Sequence, residues 1–370
     1  MPDATARRGH VAALDGLRGL AIAGVVLQHV IVGDRGYWVG VDLFFVLSGF
    51  LITSTLLGSL HKHGSLRLGH FAWRRICRLA PALLTVLAAW TVWTLAQGYQ
   101  VEERLDYIGI VLAQIANIVG SFGGTVSPEL GHLWSLSAEV QFYVVWPLVL
   151  ALLVWRRASR GTLLAVVAGV ALFSALLRFV MSFTDASWLR LYLGPDTRLD
   201  ALMLGCAVAM LVSWGSFERS PKLARHVGAL AVPSVLVLAV FIFFGHVLVS
   251  FPWRGGLLLA VVASTVLVAG SAVGTARLVL PVLEATLLQV LGRISYSLYL
   301  WHLPVAAEMQ RLAPDLSNPV RWTLTVAIAL GLAFVTLALV ELPALSSKKR
   351  PATRAAVVRP VRPLAAAAAS

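Results

Sequence analysis

The sequence predicts an all-α membrane protein, a polytopic bundle of about ten transmembrane helices with a re-entrant segment near residues 106–121. Two observations predict this fold class. Of the 370 residues, 59% are hydrophobic and the mean hydropathy is +0.83, which is more apolar than a soluble chain of this length. The hydrophobic residues also fall into runs of about 20, the length that crosses a bilayer as a helix, and basic loops separate these runs.

The basic residues predict the orientation of the spans, because Lys and Arg accumulate in cytosolic loops. The N-terminus, the run 61–78 and the tail 346–370 are rich in these residues, so both termini are expected in the cytosol. The first apolar segment keeps charged residues and lacks a clear cleavage site, which favours a retained span over a signal peptide. The predicted spans are residues 12–32, 41–60, 79–97, 132–155, 161–180, 199–214, 227–249, 255–275, 294–311 and 320–341.

The segment 106–121 is predicted to be re-entrant because of the number of membrane crossings that the flanking loops allow. It lies between an outer loop at residues 100–104 and the basic run 156–160, which should be cytosolic, so only an odd number of crossings fits. The segment is shorter than its neighbour 132–155 and carries Gln114 and Asn117. It is therefore expected to enter and leave the membrane on the same side.

Two further segments complete the predicted organisation. Residues 278–291 are expected to form a helix on the cytosolic surface. Residues 1–345 are expected to form one transmembrane domain, and residues 346–370 a basic, disordered tail. The net charge of +13 would indicate nucleic acid in a soluble protein, but here orientation explains it, so the expected partner is the lipid bilayer and not nucleic acid.

Charged residues in the first two spans mark the candidate functional site. An ionisable group inside a span is costly and therefore indicates function. The first span contains Asp15, Arg18 and His29, and the second begins with Asp42. Arg18 and His29 are eleven residues apart, so they share one helix face and lie about 16 Å apart along the axis.

The depth of each polar residue divides the candidates into two groups. His29, Asp42, Glu139, Arg198 and Asp200 are expected in the outer half of the bundle. A second group, expected at the cytosolic side, comprises Arg18, Arg74, Arg75, Arg78 and Arg293, with His302 between the two groups.

Six separated motifs occur in the order that is typical of one family. Arg18 and His29 enclose ten residues, and residues 40–53 read GVDLFFVLSGFLIT. They are followed by Arg75-x-x-Arg78 and by LWSLSAEVQFYVVWP at residues 133–147. The last two motifs are Arg198-Leu-Asp200 and GRISYSLYLWHLP at residues 292–304. This series resembles the membrane acyltransferase family 3, which O-acylates sugars and antibiotics, and it covers most of the chain.

The resemblance implies an O-acyltransferase in a bacterial-type inner or plasma membrane that moves an acyl group from acyl-CoA, preferably acetyl-CoA, to a hydroxyl of a carbohydrate-containing acceptor. Arginine suits the phosphates of a cytosolic acyl-CoA, and we expect Arg18, Arg75 and Arg78 to bind this donor. His29 is the expected general base, since an imidazole can take and return a proton near neutrality. Glu139 or Asp42 is expected to orient it, as in acid-base triads. The expected substrate-binding residues are Arg198, Asp200, Tyr143, Tyr299 and His302.

Several alternatives stay open. His29 could form an acyl-imidazole intermediate instead of acting as a base. The acceptor could be an envelope or exported polysaccharide or glycolipid, or a small glycosylated metabolite such as a macrolide. A transporter with Arg18 and His29 in its permeation path is a further possibility, although no inverted repeat is evident. A metal is not expected, because His61, His63 and His70 have no carboxylate or cysteine at a useful spacing.

Overall fold

The computed structural model describes residues 4–32, 39–244 and 251–346, and these residues form helices and connecting turns without a strand. Seventeen α-helices are present in the described ranges. They are α1 Ala4–Val26, α2 Val39–His63, α3 Leu68–Gln97, α4 Val101–Leu112, α5 Ala116–Ser121, α6 Trp134–Trp155, α7 Arg160–Met181, α8 Trp188–Leu193, α9 Leu199–Ser213, α10 Ser216–Arg219, α11 Pro221–Ala229, α12 Ala231–Phe244, α13 Leu257–Ala272, α14 Leu280–Leu283, α15 Thr286–Leu312, α16 Asn318–Thr336 and α17 Leu342–Ser346.

Eight of the described segments are long and apolar enough to cross a bilayer, which confirms the polytopic helical bundle. They are Ala12–Ile31, Val39–His63, Leu68–Gln97, Gly131–Trp155, Arg160–Met181, Pro221–Phe244, Pro252–Ala272 and Asn318–Leu345. The helices α9 and α15 occupy the other two predicted spans. At 15 residues α9 is shorter than a typical span, and α15 carries more polar residues, so the number of about ten stays a prediction.

Two predicted boundaries are wrong. The run 61–78 was expected to be a loop, but α2 continues to His63 and α3 begins at Leu68, so Arg74, Arg75 and Arg78 are helical. Long basic side chains can extend from a helix toward water, so a cluster of them does not end the helix. A surface helix was expected at residues 278–291, but α15 runs unbroken from Thr286 through the predicted span.

The segment 106–121 forms α4 and α5, which are too short to cross a bilayer. Its flanks meet at one end of the bundle, since a nitrogen of Arg104 lies 2.7 Å from Glu129 and 2.8 Å from Glu308. Asn117 in α5 instead bonds to Gln141, seven residues past the first residue of α6. The chain therefore enters and returns at the same end, as a re-entrant segment does.

Some predictions fall outside the described residues. Between the predicted spans 12–32 and 41–60, residues 33–38 are not described, and most of the tail 346–370 is not described either. The final turns of the predicted span 227–249 also lie beyond Phe244, where the described part of this helix ends.

The helices α2 and α9 pack backbone against backbone through two glycines. A methyl group on Gly49 would lie 2.0 Å from the carbonyl oxygen of Leu202, and one on Gly205 would lie 2.1 Å from that of Val46. Small residues allow such close approach between membrane helices, where van der Waals contact replaces the hydrophobic effect. This contact holds Asp42, in the first turn of α2, close to Arg198, which directly precedes α9.

Gly49→Ala should therefore destabilise the bundle by about 1–3 kcal/mol, the usual cost of overpacking. Gly58→Ala on the same helix is the matched control, because nothing lies within 4 Å of the added methyl group. Thermal unfolding of the purified variants in detergent measures the effect. Equal midpoints for Gly49→Ala and Gly58→Ala would contradict the packing described here.

Candidate functional site

A cavity of about 80 Å³, counted as space open to the centre of a water molecule, lies between α1, α2, α3, α6 and α15. Its polar lining includes the three arginines predicted to bind the donor, namely Arg18, Arg75 and Arg78. We call these three residues and the part of the cavity lining around them the arginine layer. The structure thus brings together residues that are 60 positions apart in the sequence.

Hydrogen bonds and ring contacts fix the polar groups of this cavity. The guanidinium of Arg18 donates to the hydroxyl of Ser295 at 3.2 and 3.3 Å. Glu139 accepts bonds from Ser48 at 2.5 Å and from Tyr143 at 2.8 Å. The guanidinium of Arg75 stands over the ring of Tyr143, 5.3 Å from its centre. Glu139 and Tyr143 therefore lie within the arginine layer.

The charges of the cavity lining favour an anionic ligand. Three arginines face one carboxylate, that of Glu139, among the lining residues. Positive groups grouped in a recess with low-dielectric walls attract anions more strongly than the same groups on an open surface. Arginine also presents a planar fork of donors that matches phosphate oxygens.

The cavity ends at Tyr299, which separates it from a second polar cluster. The hydroxyl of Tyr299 lies 2.7 Å from the hydroxyl of Ser135 and donates to the carbonyl oxygen of His132. Tyr299 and Ser135 line the cavity. On its other side, the ring of Tyr299 contacts the rings of His132 and His302, at 5.0 and 5.5 Å between centres.

Three histidines beyond Tyr299 form this second cluster, which we call the histidine layer. Nδ1 of His29 lies 3.3 Å from Nε2 of His302, and the ring of His132 is 4.9 Å from that of His302. His302 is fully buried and His132 is 5% exposed. His29 lies in a π-helical turn, Leu27–Val32, and such turns occur often at functional sites.

Helix direction explains how the two layers arise. α1 and α15 run parallel, since Arg18 meets Ser295 and, further along both helices, His29 meets His302. α6 runs the other way, because it begins beside the histidine layer and reaches Glu139 in the arginine layer. At 1.5 Å per residue, the layers are about 16 Å apart along α1 and about 10 Å apart along α15.

The remaining predicted site residues form buried ion pairs. A nitrogen of Arg198 lies 2.5 Å from Asp42, and a nitrogen of Arg178 lies 2.5 Å from Asp200. The Asp42 and Asp200 side chains are fully buried. Arg198 and Asp200, which could have paired with each other, thus have separate partners. These contacts join α2 to α9 and α7 to α9.

The loop before Arg198 is held by a two-bond contact between Arg190 and Asp196, at 2.7 and 2.6 Å. Partial burial acts to raise the pKa of the Asp196 carboxyl, but the bonds and charge of Arg190 outweigh burial and lower this pKa below its ordinary value. The carboxylate therefore stays charged and keeps the loop in place at neutral pH.

The expected pairing of His29 with Glu139 or Asp42 is not what the described residues show. Glu139 bonds to Ser48 and Tyr143, Asp42 pairs with Arg198, and His29 instead meets His302. The predicted span 132–155 placed residue 132 at the membrane surface. In the structure α6 begins within the bundle, beside the histidines, so Glu139 lies about 10 Å further along, in the arginine layer.

The sequence analysis did not select two residues of these ion pairs and clusters, Arg178 and His132. Arg178 is an arginine inside the predicted span 161–180, and the rule that flagged Arg18 would have flagged it as well. His132 directly precedes the motif at residues 133–147 and was counted as a span boundary. Within the described ranges, no group of three or more histidine, cysteine or acidic side chains is arranged to hold a metal ion.

The fold and the two layers define an integral membrane protein with a basic recess that leads toward buried imidazoles. The family model described as an acyltransferase domain matches residues 11–340. The chain therefore belongs to the membrane acyltransferase family 3, as the motif series predicted. No solved structure matches it significantly.

Three curated relatives, each 32% identical to this chain, extend the comparison. YrhL of Bacillus subtilis (strain 168) aligns over 343 residues, 88% of this chain and 53% of the relative. The peptidoglycan O-acetyltransferase OatA of Listeria monocytogenes aligns with 80% of this chain and 50% of the relative. The O-acetyltransferase OatA of Staphylococcus aureus (strain NCTC 8325 / PS 47) aligns with 79% of this chain and 50% of the relative. The chain thus spans about half the length of these relatives.

The buried pair Asp42 and Arg198 permits a test of its structural role. Arg198→Met should leave Asp42 as an unpaired buried charge and destabilise the protein by about 3–5 kcal/mol. Adding Asp42→Asn should recover much of this loss, because the uncompensated charge is removed. Thermal unfolding of the two single variants and the double variant measures the coupling. Additive losses would show that the pair does not act as a unit.

Proposed function

We propose that the protein is a membrane O-acyltransferase that moves an acetyl group from acetyl-CoA to a hydroxyl of a peptidoglycan-type cell-wall carbohydrate. The observation that carries the proposal is the cavity lined by Arg18, Arg75 and Arg78, which ends one aromatic ring away from the histidine layer. The family supports acyl transfer, and the names of the Listeria and Staphylococcus relatives support acetyl as the group. The name of the Listeria relative also supports peptidoglycan as the acceptor.

The arginine layer is proposed to bind the phosphates of the donor. The nucleotide is placed at the mouth of the cavity and the thioester arm inside it. An extended pantetheine arm is comparable to the 16 Å that separates Arg18 from His29 along α1. The thioester would reach His29 once the ring of Tyr299 moves aside.

His29 is proposed to act as the general base. It takes the proton of the acceptor hydroxyl while the oxygen attacks the thioester carbonyl, and the carbon–sulfur bond then breaks. The leaving CoA thiolate receives the proton from the imidazolium. The alternative in which the acyl group first joins His29 uses the same position. His29→Gln combined with a trapped acyl-enzyme assay distinguishes the two.

The other predicted residues receive revised proposals. Glu139 is proposed to hold Ser48 and Tyr143 and to balance part of the arginine charge, since both of its oxygens are bound there. Tyr299 is proposed to contact the thioester, because it lies where the cavity meets the histidines. Asp42, Arg198 and Asp200 are proposed to support the helices and not to bind substrate.

The imidazole of His29 can be tested directly. His29→Ala should lower acetyl transfer by about 10²–10⁴-fold, the usual contribution of a general base, while the protein still inserts and unfolds as the wild type does. His61→Ala, at the exposed end of α2, is the control. Turnover of purified protein with acetyl-CoA and a peptidoglycan fragment gives the rates. Wild-type turnover in His29→Ala would remove this residue from the mechanism.

Arg74, on the same helix as Arg75 and Arg78, provides a matched control for a test of the arginine layer. Arg75→Ala and Arg78→Ala should raise the KM for acetyl-CoA more than that for the acceptor, because each removes a cation from the cavity. Arg74→Ala removes the same charge from an exposed position outside the cavity lining and should have little effect. Arg74→Ala could instead raise the KM for acetyl-CoA as much as Arg75→Ala and Arg78→Ala do. Donor binding would then depend on the overall positive charge of this helix and not on the cavity.

A comparison of cells with and without the gene identifies the acceptor most directly. Mass spectrometry of cell-wall fragments, with and without the gene, should show acetylated sugars that disappear on deletion and return with the wild-type gene but not with His29→Ala. Loss of acetyl groups from a small glycosylated metabolite instead would replace the proposed acceptor with the alternative one. Unchanged spectra for both classes would contradict the proposed function.

A further inference from the structure

A second cavity lies against a different face of α6 from the arginine layer. It measures about 490 Å³, counted as space open to the centre of a water molecule, and lies between α6 and α7 with α9 as its floor. We call it the α6–α7 groove, and it shares no lining residue with the cavity of the arginine layer. We propose that this groove binds one acyl chain of a bilayer phospholipid, whatever reaction the protein catalyses.

The interior of the groove is almost entirely apolar. Its deepest part is formed by the buried side chains of Phe142, Trp146, Leu202 and Met203. Its walls are formed by half-buried valines of α6 and α7, namely Val149, Val166 and Val170. Apolar cavities in proteins stay dry, so water does not match this lining. Hydrocarbon chains, which surround a membrane helix and are as apolar as leucine, do match it.

Three polar residues also line the groove, and each has a partner within the protein. The pairs are Asp196 with Arg190, Gln141 with Asn117, and Arg198 with Asp42. The other two guanidinium nitrogens of Arg198 are buried, and the guanidinium stands over the ring of Tyr192. The groove thus presents apolar surface to a ligand, which favours hydrocarbon over a sugar or a nucleotide.

The groove opens toward the lipid. Val145 lines it and is 58% exposed, and the neighbouring Val144 and Leu148 on α6 are exposed to the same degree. Both α6 and α7 belong to segments that are long and apolar enough to cross a bilayer. Exposed apolar side chains on such helices face the acyl chains. A chain can therefore enter the groove from the membrane without crossing a polar surface.

The length of the groove fits a lipid chain and not a transmembrane helix. Its lining extends along α6 from Ala138 to Val149, which is about 16 Å at 1.5 Å per residue. This is about half of the roughly 30 Å hydrocarbon thickness, the depth that one chain of one leaflet occupies. A helix of a partner protein would need about 20 residues and the full thickness.

The turn that joins α6 to α7 closes one end of the groove. It comprises residues 156–159, and backbone bonds from Arg157 and Ala158 to the last turn of α6 hold it. Val149 and Val166, the lining residues nearest to this turn, each lie six residues, or about 9 Å, from the adjoining helix end. Between that level and the turn the two helices converge, so a spanning helix could not continue through the groove.

A bound chain would also affect the neighbouring cavity. α6 carries Glu139 and Tyr143, which line the cavity of the arginine layer. Because close packing resists displacement, a chain that fills the groove would limit movement of α6 and of these two side chains.

Photoaffinity labelling in a bilayer tests the site. The full chain is placed in nanodiscs of phosphatidylcholine and phosphatidylglycerol, part of which carries a diazirine near the end of one acyl chain. After irradiation, peptide mass spectrometry locates the adducts. Leu202 and Met203 on the floor are only 2% and 5% exposed, so a chain reaches them only inside the groove. We expect adducts on both residues. Labelling confined to the exposed residues of α6 and α7 would overturn the proposal.

Val144 and Val145 provide a matched pair of variants. They are neighbours on α6 and are 59% and 58% exposed, but only Val145 lines the groove. Val145→Trp should cover the groove and remove most of the adducts on Leu202 and Met203, whereas Val144→Trp should keep them. Val170→Trp narrows the groove from α7 and should also remove them.

Floor adducts that persist in both Val145→Trp and Val170→Trp would contradict entry through the groove. If a variant does not fold, labelling of the wild-type protein still decides whether a chain reaches the floor.

Two other outcomes would assign the groove to a different occupant. If a polyprenyl phosphate, added at a small fraction of the phospholipid, abolishes the floor adducts, the groove binds a prenyl chain instead. If the floor is unlabelled and light scattering shows a dimer that Val145→Trp dissociates, the groove is an interface between two copies of this chain.

Discussion

The structure depends on how it accommodates charge in an apolar bundle. A charged side chain among membrane helices is costly unless it has a partner or faces a polar cavity. Asp42 with Arg198 and Asp200 with Arg178 are matched one to one, fully buried and outside the cavity. The cavity lining, in contrast, has three arginines and one glutamate. This difference separates charges that hold helices together from charges that can receive an anion.

Close helix contacts set the separation of the layers. A methyl group on Gly292 would lie 1.9 Å from the carbonyl oxygen of Asp15, and one on Gly19 would lie 2.0 Å from that of Leu288. α1 and α15 therefore touch through their backbones and stay in register for several turns. Because they are parallel, one register fixes both the contact of Arg18 with Ser295 and that of His29 with His302.

Much of this could be predicted from the sequence, and the limits have physical causes. Apolar runs predicted the positions of the helices, and parity predicted that residues 106–121 do not cross. Helical spacing placed Arg18 and His29 on one face, but it could not show which carboxylate meets the imidazole. That depends on where α6 begins, and an error of a few residues there moves Glu139 between layers.

Side-chain partners across helices were the least predictable part. The buried contacts of Arg104 with Glu129 and Glu308 join residues up to 204 positions apart. Hydropathy assigns each of these residues to a loop or a helix end and gives no sign that they meet. His132 illustrates the same limit, since its importance lies in the neighbouring rings of Tyr299 and His302.

The central claim is that positive groups at one end of the cavity hold the nucleotide end of a thioester whose acyl end points toward the histidine layer. The most direct measurement is a cryo-EM map of the protein bound to a thioether analogue of acetyl-CoA, which cannot transfer its acyl group. We expect the phosphates beside Arg75 and Arg78 and the acyl end beside Tyr299. An analogue bound with its acyl end away from His29, or bound outside this cavity, would contradict the account.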